Sequence, residues 1–226
     1  LDKLNEPVYV LASEFIAWVG FMNAELPVIK KGRKFDQVIN GATRVFMRDG
    51  FDGASVDDIA REAKVSKATL YSYFTDKRVL FMEVARTECT RQADAALDEI
   101  NMALPPRDVL RKACKSMMRF FYSDFGVNVF RIAVAESSRF PELGRAFYLN
   151  GPMEARKRLI TYLNAAIAKG DLVIDDIDMA ADQLPQLCKA DLHEKLIFGI
   201  QDGFTEEEID RIATAAVDLF LSRYGA

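Results

Sequence analysis

Residues 64–81 read KVSKATLYSYFTDKRVLF. Ser66, Thr69, Ser72 and Thr75 bring hydroxyls, Lys64, Lys67 and Lys77 bring ammonium groups, and Tyr71 and Tyr73 add two phenols. Hydroxyls and ammoniums donate to phosphate oxygens and base edges, so what these residues can do together is recognise a nucleic acid without covalent chemistry. A solvated helix surface that carries several lysines would use the same residue types. The flanking elements decide between the two uses, because they determine whether the stretch is locked with these groups outside.

Phe35, Val38, Ile39, Ala42, Val45 and Phe46 recur at i, i+3, i+4 and i+7, which predicts a helix with one buried stripe. DGFDG at residues 49–53 ends it with turn formers. Ser55 then precedes VDDIAREA and can accept from the first-turn N–H groups, while Asp57 and Asp58 suit the positive helix start. A second helix follows from Val56 to about Ala63. Lys64 and Val65 separate it from Ser66, a second N-cap, and a third short helix runs from Lys67 to about Phe74. Val56, Ile59, Ala60 and Ala63 face Val65, Leu70 and Phe74. Two helices joined by so brief a turn form a helix-turn-helix. With Leu70 and Phe74 turned inward, Lys67, Thr69, Tyr71, Ser72 and Tyr73 share the outer and flanking faces, and such a helix can enter a major groove by its N-terminal end. Thr75 and Asp76 cap a further helix that begins at Lys77 and continues to about Met102.

ATRVFMRDGFDGASVDDIAREAKVSKATLYSYFTDKRVLF, residues 42–81, resembles the N-terminal pattern of the tetracycline-repressor (TetR) family of bacterial transcriptional regulators. Its most specific pieces are DIA at residues 58–60, VSKATLY at 65–71, and YF followed by DK at 73–77. The motif spans about residues 34–82. The resemblance implies an all-α chain in which Ser66–Tyr73 is the recognition helix. It places Lys67 and Thr69 at base edges or nearby phosphates with Ser66 at the helix start. Tyr71 and Tyr73 press hydroxyls on the DNA backbone, Lys77 neutralises a phosphate, and Ser55 adds a phosphate contact beside its cap. Lys64 stands where the family often has glycine, and is either a further phosphate contact or a solvated lysine. A left-handed backbone there costs about 1 kcal/mol. Ala68 also replaces a frequent glycine and stiffens the helix by ~1 kcal/mol.

Charge follows the same division. Residues 30–91 hold 13 Lys/Arg against 9 Asp/Glu, residues 92–226 hold 16 against 21, and residues 1–29 hold 1 against 4, giving the net −4 of the chain. A positive segment on an acidic body can meet a polyanion locally without general stickiness. Cys89, Cys114 and Cys188 are three, far apart and without a Cys-x-x-Cys pair, which argues against a disulfide framework or zinc site and for small core residues. His193 is the single histidine, expected at a helix surface or interface. There is no glycine-rich phosphate loop, metal-ligand cluster or nucleophile–histidine pairing, so no enzyme, cofactor or metal is expected. In residues 1–29, Val8, Leu11, Phe15, Trp18 and Met22 form one amphipathic stripe, while Glu14, Asn23 and Glu25 interrupt any spanning run. A helix packed on its own subunit, or one that meets a partner, is expected there, with no membrane span.

Beyond residue 102 the sequence again reads as helices. Pro105 and Pro106 break one helix and begin the next, whose apolar face holds Leu110, Ala113, Cys114, Met117, Met118 and Phe121. GVNVFRIAVAE, residues 126–136, is rich in β-branched residues but lacks a partner strand, so a buried helix is expected. Gly151-Pro152 starts another helix, which Gly170 ends. A helix over about 178–187 contains Pro185, and Thr205 with Glu208 makes a capping box for the last one. Ile209, Ile212, Ala213, Ala216, Val217, Phe220 and Leu221 form its stripe. The family resemblance implies that the last two helices pair into a four-helix dimer bundle, joined by Leu192, Leu196 and Ile197; an intramolecular core is the other use of the same stripe. Family members commonly hold a small molecule in this part, and Met117, Met118, Phe120, Phe121, Phe125 and Phe130 are the densest aromatic and thioether cluster, although core packing also accounts for them.

The organisation expected is therefore an extension (1–30), a three-helix helix-turn-helix DNA-binding domain (31–80) and a helical effector-binding and dimerisation domain (81–226). The function expected is that of a cytoplasmic homodimer on a palindromic double-stranded DNA operator, a repressor released by a small apolar effector. A ligand-independent DNA-organising or partner-binding protein with the same reader is the alternative.

Overall fold

The computed structural model describes the backbone of residues 32–99 and 101–226 and the side chains of residues 32–91 and 101–226. The amphipathic stretch expected at residues 8–22 lies outside them. Helix α1 (Phe35–Gly53) turns its apolar stripe inward and breaks at Gly50, whose φ of 70° and ψ of −178° leave the helical region. Helices α2 (Val56–Glu62) and α3 (Lys67–Tyr73) are short because each is closed by its own serine cap and by the turn between them. Helix α4 (Lys77–Glu99) leaves the reader and runs on without a break through residue 81.

The body continues with α5 (Pro106–Phe121), α6 (Asp124–Ser137), α7 (Pro141–Asn150), α8 (Pro152–Lys169), α9 (Ile177–Leu187), α10 (His193–Ile197) and α11 (Glu206–Tyr224). Residues 126–136 are helical, as the want of a strand partner required. Helix α7 was not foreseen. Pro141 starts it at a position where the missing N–H has no helical acceptor to lose. Pro185 is accommodated in the last turn of α9, and the helix stops two residues later. The capping box of α11 is complete, with Thr205 Oγ1 accepting from the Glu208 N–H at 3.2 Å and Glu208 Oε2 accepting from the Thr205 N–H at 2.7 Å.

Two apolar cores organise these helices. The first joins α1–α4 to Phe125, Val129 and Ala133 of α6 and to Leu143 and Ala146 of α7. The second gathers α5, α8, α9, α10 and α11. Its members Cys114 and Cys188 act as small buried residues. Helices α5 and α11 lie antiparallel, their register marked by exposed ion pairs: Arg107 with Asp218, Lys115 with Asp210 at 2.7 Å, and Arg119 with Glu206 at 2.6 Å. Each is weak alone because water screens it.

The stripe expected at a dimer surface or in an intramolecular core lies in the core of its own chain. Ile209, Ile212, Ala213, Ala216, Val217 and Phe220 are buried within their own subunit, as are Leu192 and Leu196, and Ile197 packs at the margin of the same core. Helix α11 has one strong apolar stripe, and α5 and α9 of the same chain cover it. On the outward side Leu219 of α11 and Met179 of α9 are exposed. His193 is half-buried between the rings of Tyr122 and Phe130, at centroid distances of 6.0 Å and 5.4 Å, and burial holds its pKa below the usual imidazole value.

Candidate nucleic-acid interface

The reader is set by its caps and by the close approach of α1. Ser55 Oγ accepts from the Asp58 N–H at 3.0 Å and donates to the Asp58 carboxylate at 2.5 Å, so this hydroxyl is engaged at the start of α2. That bond, ahead of the pull of Arg61, holds the Asp58 carboxyl below its ordinary pKa. Lys64 takes a left-handed conformation, φ 51°, and leads the chain from α2 toward α3. Gln37 Nε2 of α1 donates to the Ala63 carbonyl at 2.7 Å, fastening this turn to the first helix. Ser66 Oγ accepts from the Thr69 N–H at 3.1 Å and lies 2.9 Å from the Thr69 hydroxyl.

Leu70 and Phe74 fix the inner side of α3, each 1% exposed. Lys64, Ser66, Lys67, Ala68, Tyr71 and Ser72 are left on the outside, with Thr69 and Tyr73 half-buried. Tyr71 is half exposed and its ring reaches into solvent. Ser72 Oγ donates back to the Thr69 carbonyl at 2.7 Å. Tyr73 packs edge-on against Phe35 at 5.9 Å, and its hydroxyl reaches the backbone at Gly32, so this residue braces α3 on α1 as well as standing beside the outer face. The Lys67 ammonium pairs with Asp57, both well exposed. Such a pair is weak and can be exchanged for a phosphate at little cost.

Lys77 is placed differently from the expectation that it faces a phosphate. Its Nζ donates to the carbonyls of Phe51 (2.7 Å) and Ala54 (3.1 Å) and lies 4.4 Å from the centre of the Phe51 ring. The carbonyls at the end of α1 need a donor, and the break at Gly50 brings them within reach of the α4 start. Lys77→Met should therefore lower the thermal stability of the reader by about 1–2 kcal/mol, while the base sequence preferred by the remaining folded protein stays the same. Thermal melts and binding to a fixed duplex measure the two separately.

In the body, a cavity of about 220 Å³ lies between α4, α5, α8 and α9. Met117, Phe120 and Phe121, three of the residues expected at an effector site, line it. Met118, Phe125 and Phe130 do not: Met118 is in the second core, Phe125 in the first, and Phe130 meets Phe147 and His193 edge-on. The sequence signal missed Leu159, Tyr162, Glu154 and Arg158 of α8, and Cys89 and Thr90 of α4, all of which line the cavity. Burial pushes the Tyr162 hydroxyl up to about 12 and the Cys89 thiol up to about 12, so both stay protonated at neutral pH.

A helix-turn-helix with an outward recognition helix, joined by one long helix to an all-α body with a largely apolar pocket, defines a two-part DNA-binding regulator. Residues 38–84 match the bacterial regulatory proteins of the tetR family, and residues 108–226 match the C-terminal domain of the AefR-like transcriptional repressors. A TetR-family transcriptional regulator from Mesorhizobium loti MAFF303099 superimposes with a TM-score of 0.77 at 28% identity, over 86% of this chain and 98% of that one. The flavonoid-responsive regulator FrrA superimposes with a TM-score of 0.64 at 34% identity, over the same shares of the two chains. The Staphylococcus aureus (strain Newman) IcaR, a negative regulator of the biofilm operon icaADBC, is 37% identical over 46 residues, 20% of this chain and 25% of IcaR. Curated relatives of this kind are matched over less than a third of their own length. The chain belongs to the TetR family of bacterial transcriptional regulators.

Proposed function

We propose that the protein is a homodimeric, cytoplasmic repressor that binds a palindromic double-stranded DNA operator and is released by a small, largely apolar effector. The observation that carries the reading is the two-sidedness of α3: Leu70 and Phe74 anchor it while Lys67 and Tyr71 stand free of the body. In this reading Lys67 and Thr69 reach base edges, Lys64, Ser66, Ser72, Tyr71 and Tyr73 contact the backbone, and the Ser55 cap orients the α2 start toward a phosphate. Two readers about 34 Å apart would occupy successive major grooves, with the dimer contact on the outward faces of α9 and α11. Repression is favoured by the AefR-like repressor match and by the negative regulation named for IcaR. Among the described residues no helix is long and apolar enough to cross a membrane.

The cavity favours an effector-released regulator over a ligand-independent one. Cys89 and Thr90 of its wall belong to α4, and the first turns of that helix are in the core of the reader. A ligand that fits best when α4 is displaced shifts the spacing of the two readers, and by linkage operator DNA weakens the ligand by the same factor. The relative FrrA is named for its response to flavonoids.

Selection of bound duplexes from a random pool at two salt concentrations tests the reading. A palindrome should emerge. Lys67→Ala should change or blur the selected half-site, and Lys64→Ala should lower the dependence of log K on log salt by about one unit per half-site. Asp57→Asn, which leaves Lys67 without its partner carboxylate, should tighten binding to all duplexes. No enrichment of any duplex would remove the proposal.

A further inference from the structure

Among the described residues, Glu154 and Arg158 are the two charged residues in the cavity wall. They stand one turn apart on α8, with Arg158 Nε donating to Glu154 Oε1 at 3.1 Å, and their side chains are only 13% and 21% exposed. The other described lining residues are uncharged, among them Leu110, Met117, Phe120, Phe121 and Leu159. The guanidinium that would ordinarily attract a carboxylate ligand is thus already matched by a carboxylate inside the same wall.

From this arrangement, and resting on the effector reading above, we infer that the cavity selects electrically neutral ligands, with Glu154 as the residue that sets the selectivity. An anionic ligand entering here would leave water for an apolar enclosure and meet Glu154 as a like charge beside an Arg158 that is already engaged. A cationic ligand meets the mirror problem at Arg158. A neutral molecule loses little hydration, and its hydroxyl or carbonyl groups can bond to the Glu154 carboxylate oxygens, the Tyr162 hydroxyl or the Asn150 amide. Size narrows the class further. A cavity of roughly 150 Å³ holds a single benzene ring, so about 220 Å³ suits compact molecules of about two rings. The ligand class is a neutral, fused or linked aromatic with one or more hydroxyl or carbonyl groups.

The test uses the full chain and three 2-substituted naphthalenes, 2-naphthol, 2-naphthoate and 2-naphthylmethylammonium, titrated at pH 7 by calorimetry. The native protein should bind the naphthol at least about tenfold more tightly than either ion, the margin expected when a like charge is set against a buried one. Glu154→Gln should reverse the order in favour of naphthoate, and Arg158→Gln should raise the affinity for the ammonium. Glu154→Gln with Arg158→Gln should lose both gains while keeping the naphthol. Either single substitution suffices if the other does not fold. Naphthoate binding to the native protein as tightly as naphthol, or probe ratios unmoved by the single substitutions, overturns the selectivity while leaving an effector cavity in place. Failure of all three probes to bind the native protein removes the effector cavity and the selectivity together.

Discussion

Ala216→Glu is expected to unfold the body of the protein, giving no folded monomer. Ala216 is 4% exposed and belongs to the second core, in the stripe of α11 that faces its own subunit. A glutamate there would carry a charge, or a proton taken up to remove it, into a space filled by apolar side chains. Either form is costly without a partner, and the extra atoms have no room in a packed interior. The loss should be about 4 kcal/mol or more. Domains of this size are held by only ~5–15 kcal/mol in all. Circular dichroism melts should show the cooperative transition lost or shifted far down, and light scattering should find aggregate. Leu219→Glu is the contrast. Three residues further along the same helix, Leu219 is exposed, so its substitution should leave the melt nearly unchanged and, in the proposed dimer, separate the subunits. A folded, monomeric Ala216→Glu protein would restore the dimer role to the inner stripe.

That contrast also shows what the sequence can and cannot disclose. The reader was legible because its signals are local. Ser55, Ser66 and Thr205 are hydroxyls placed three residues ahead of the N–H groups they accept from, and an N-cap needs no knowledge of the rest of the chain. The inner residues Ile59, Leu70 and Phe74 followed from periodicity. Periodicity, however, says only that a stripe avoids water and not what covers it. The α11 stripe therefore read equally as a dimer face or as a core, and α5 and α9 decide the matter. The cavity was half legible for a similar reason. Met117 and Met118 are neighbours in sequence, but successive residues of a helix point about 100° apart, so one lines the cavity and the other fills the core. Glu154 and Arg158 gave no signal at all, because a charged pair at i and i+4 usually marks a solvated helix face. The task of Lys77 was hidden in the same way: its acceptors, Phe51 and Ala54, come within reach only through the break at Gly50.

Gly41→Val should destabilise the reader more than any substitution on its outer face, and should weaken DNA binding through the fold alone. Gly41 sits within α1, where a side chain would normally be welcome: alanine is favoured over glycine in a helix interior by up to about 1 kcal/mol. Here α1 crosses the turn after α2 so closely that a Cβ on residue 41 would lie 2.6 Å from Ala63 Cβ and 2.7 Å from Ala63 Cα and N. The obstruction is backbone, so no side-chain rotation relieves it. The turn is also fastened to α1 by Gln37, one helical turn before Gly41, so that opening the crossing strains that hydrogen bond and shifts α3 relative to α1. Valine adds a branched side chain to this clash and should cost about 3 kcal/mol, the upper part of the overpacking range. Alanine decides the sign, since its helix preference opposes its contact. Net destabilisation by Gly41→Ala, read from thermal melts, shows that the close crossing outweighs propensity. Gly53→Ala provides the reference, because the nearest atom to its new Cβ would be Asp49 Cβ at an ordinary 3.5 Å, and its melting temperature should stay close to that of the native protein. If Gly41→Ala instead melts higher than the native chain, the helices are not held at the separation that sets Lys67 and Tyr71 outward, and the geometry of the reader must be revised before any contact with DNA is assigned to it.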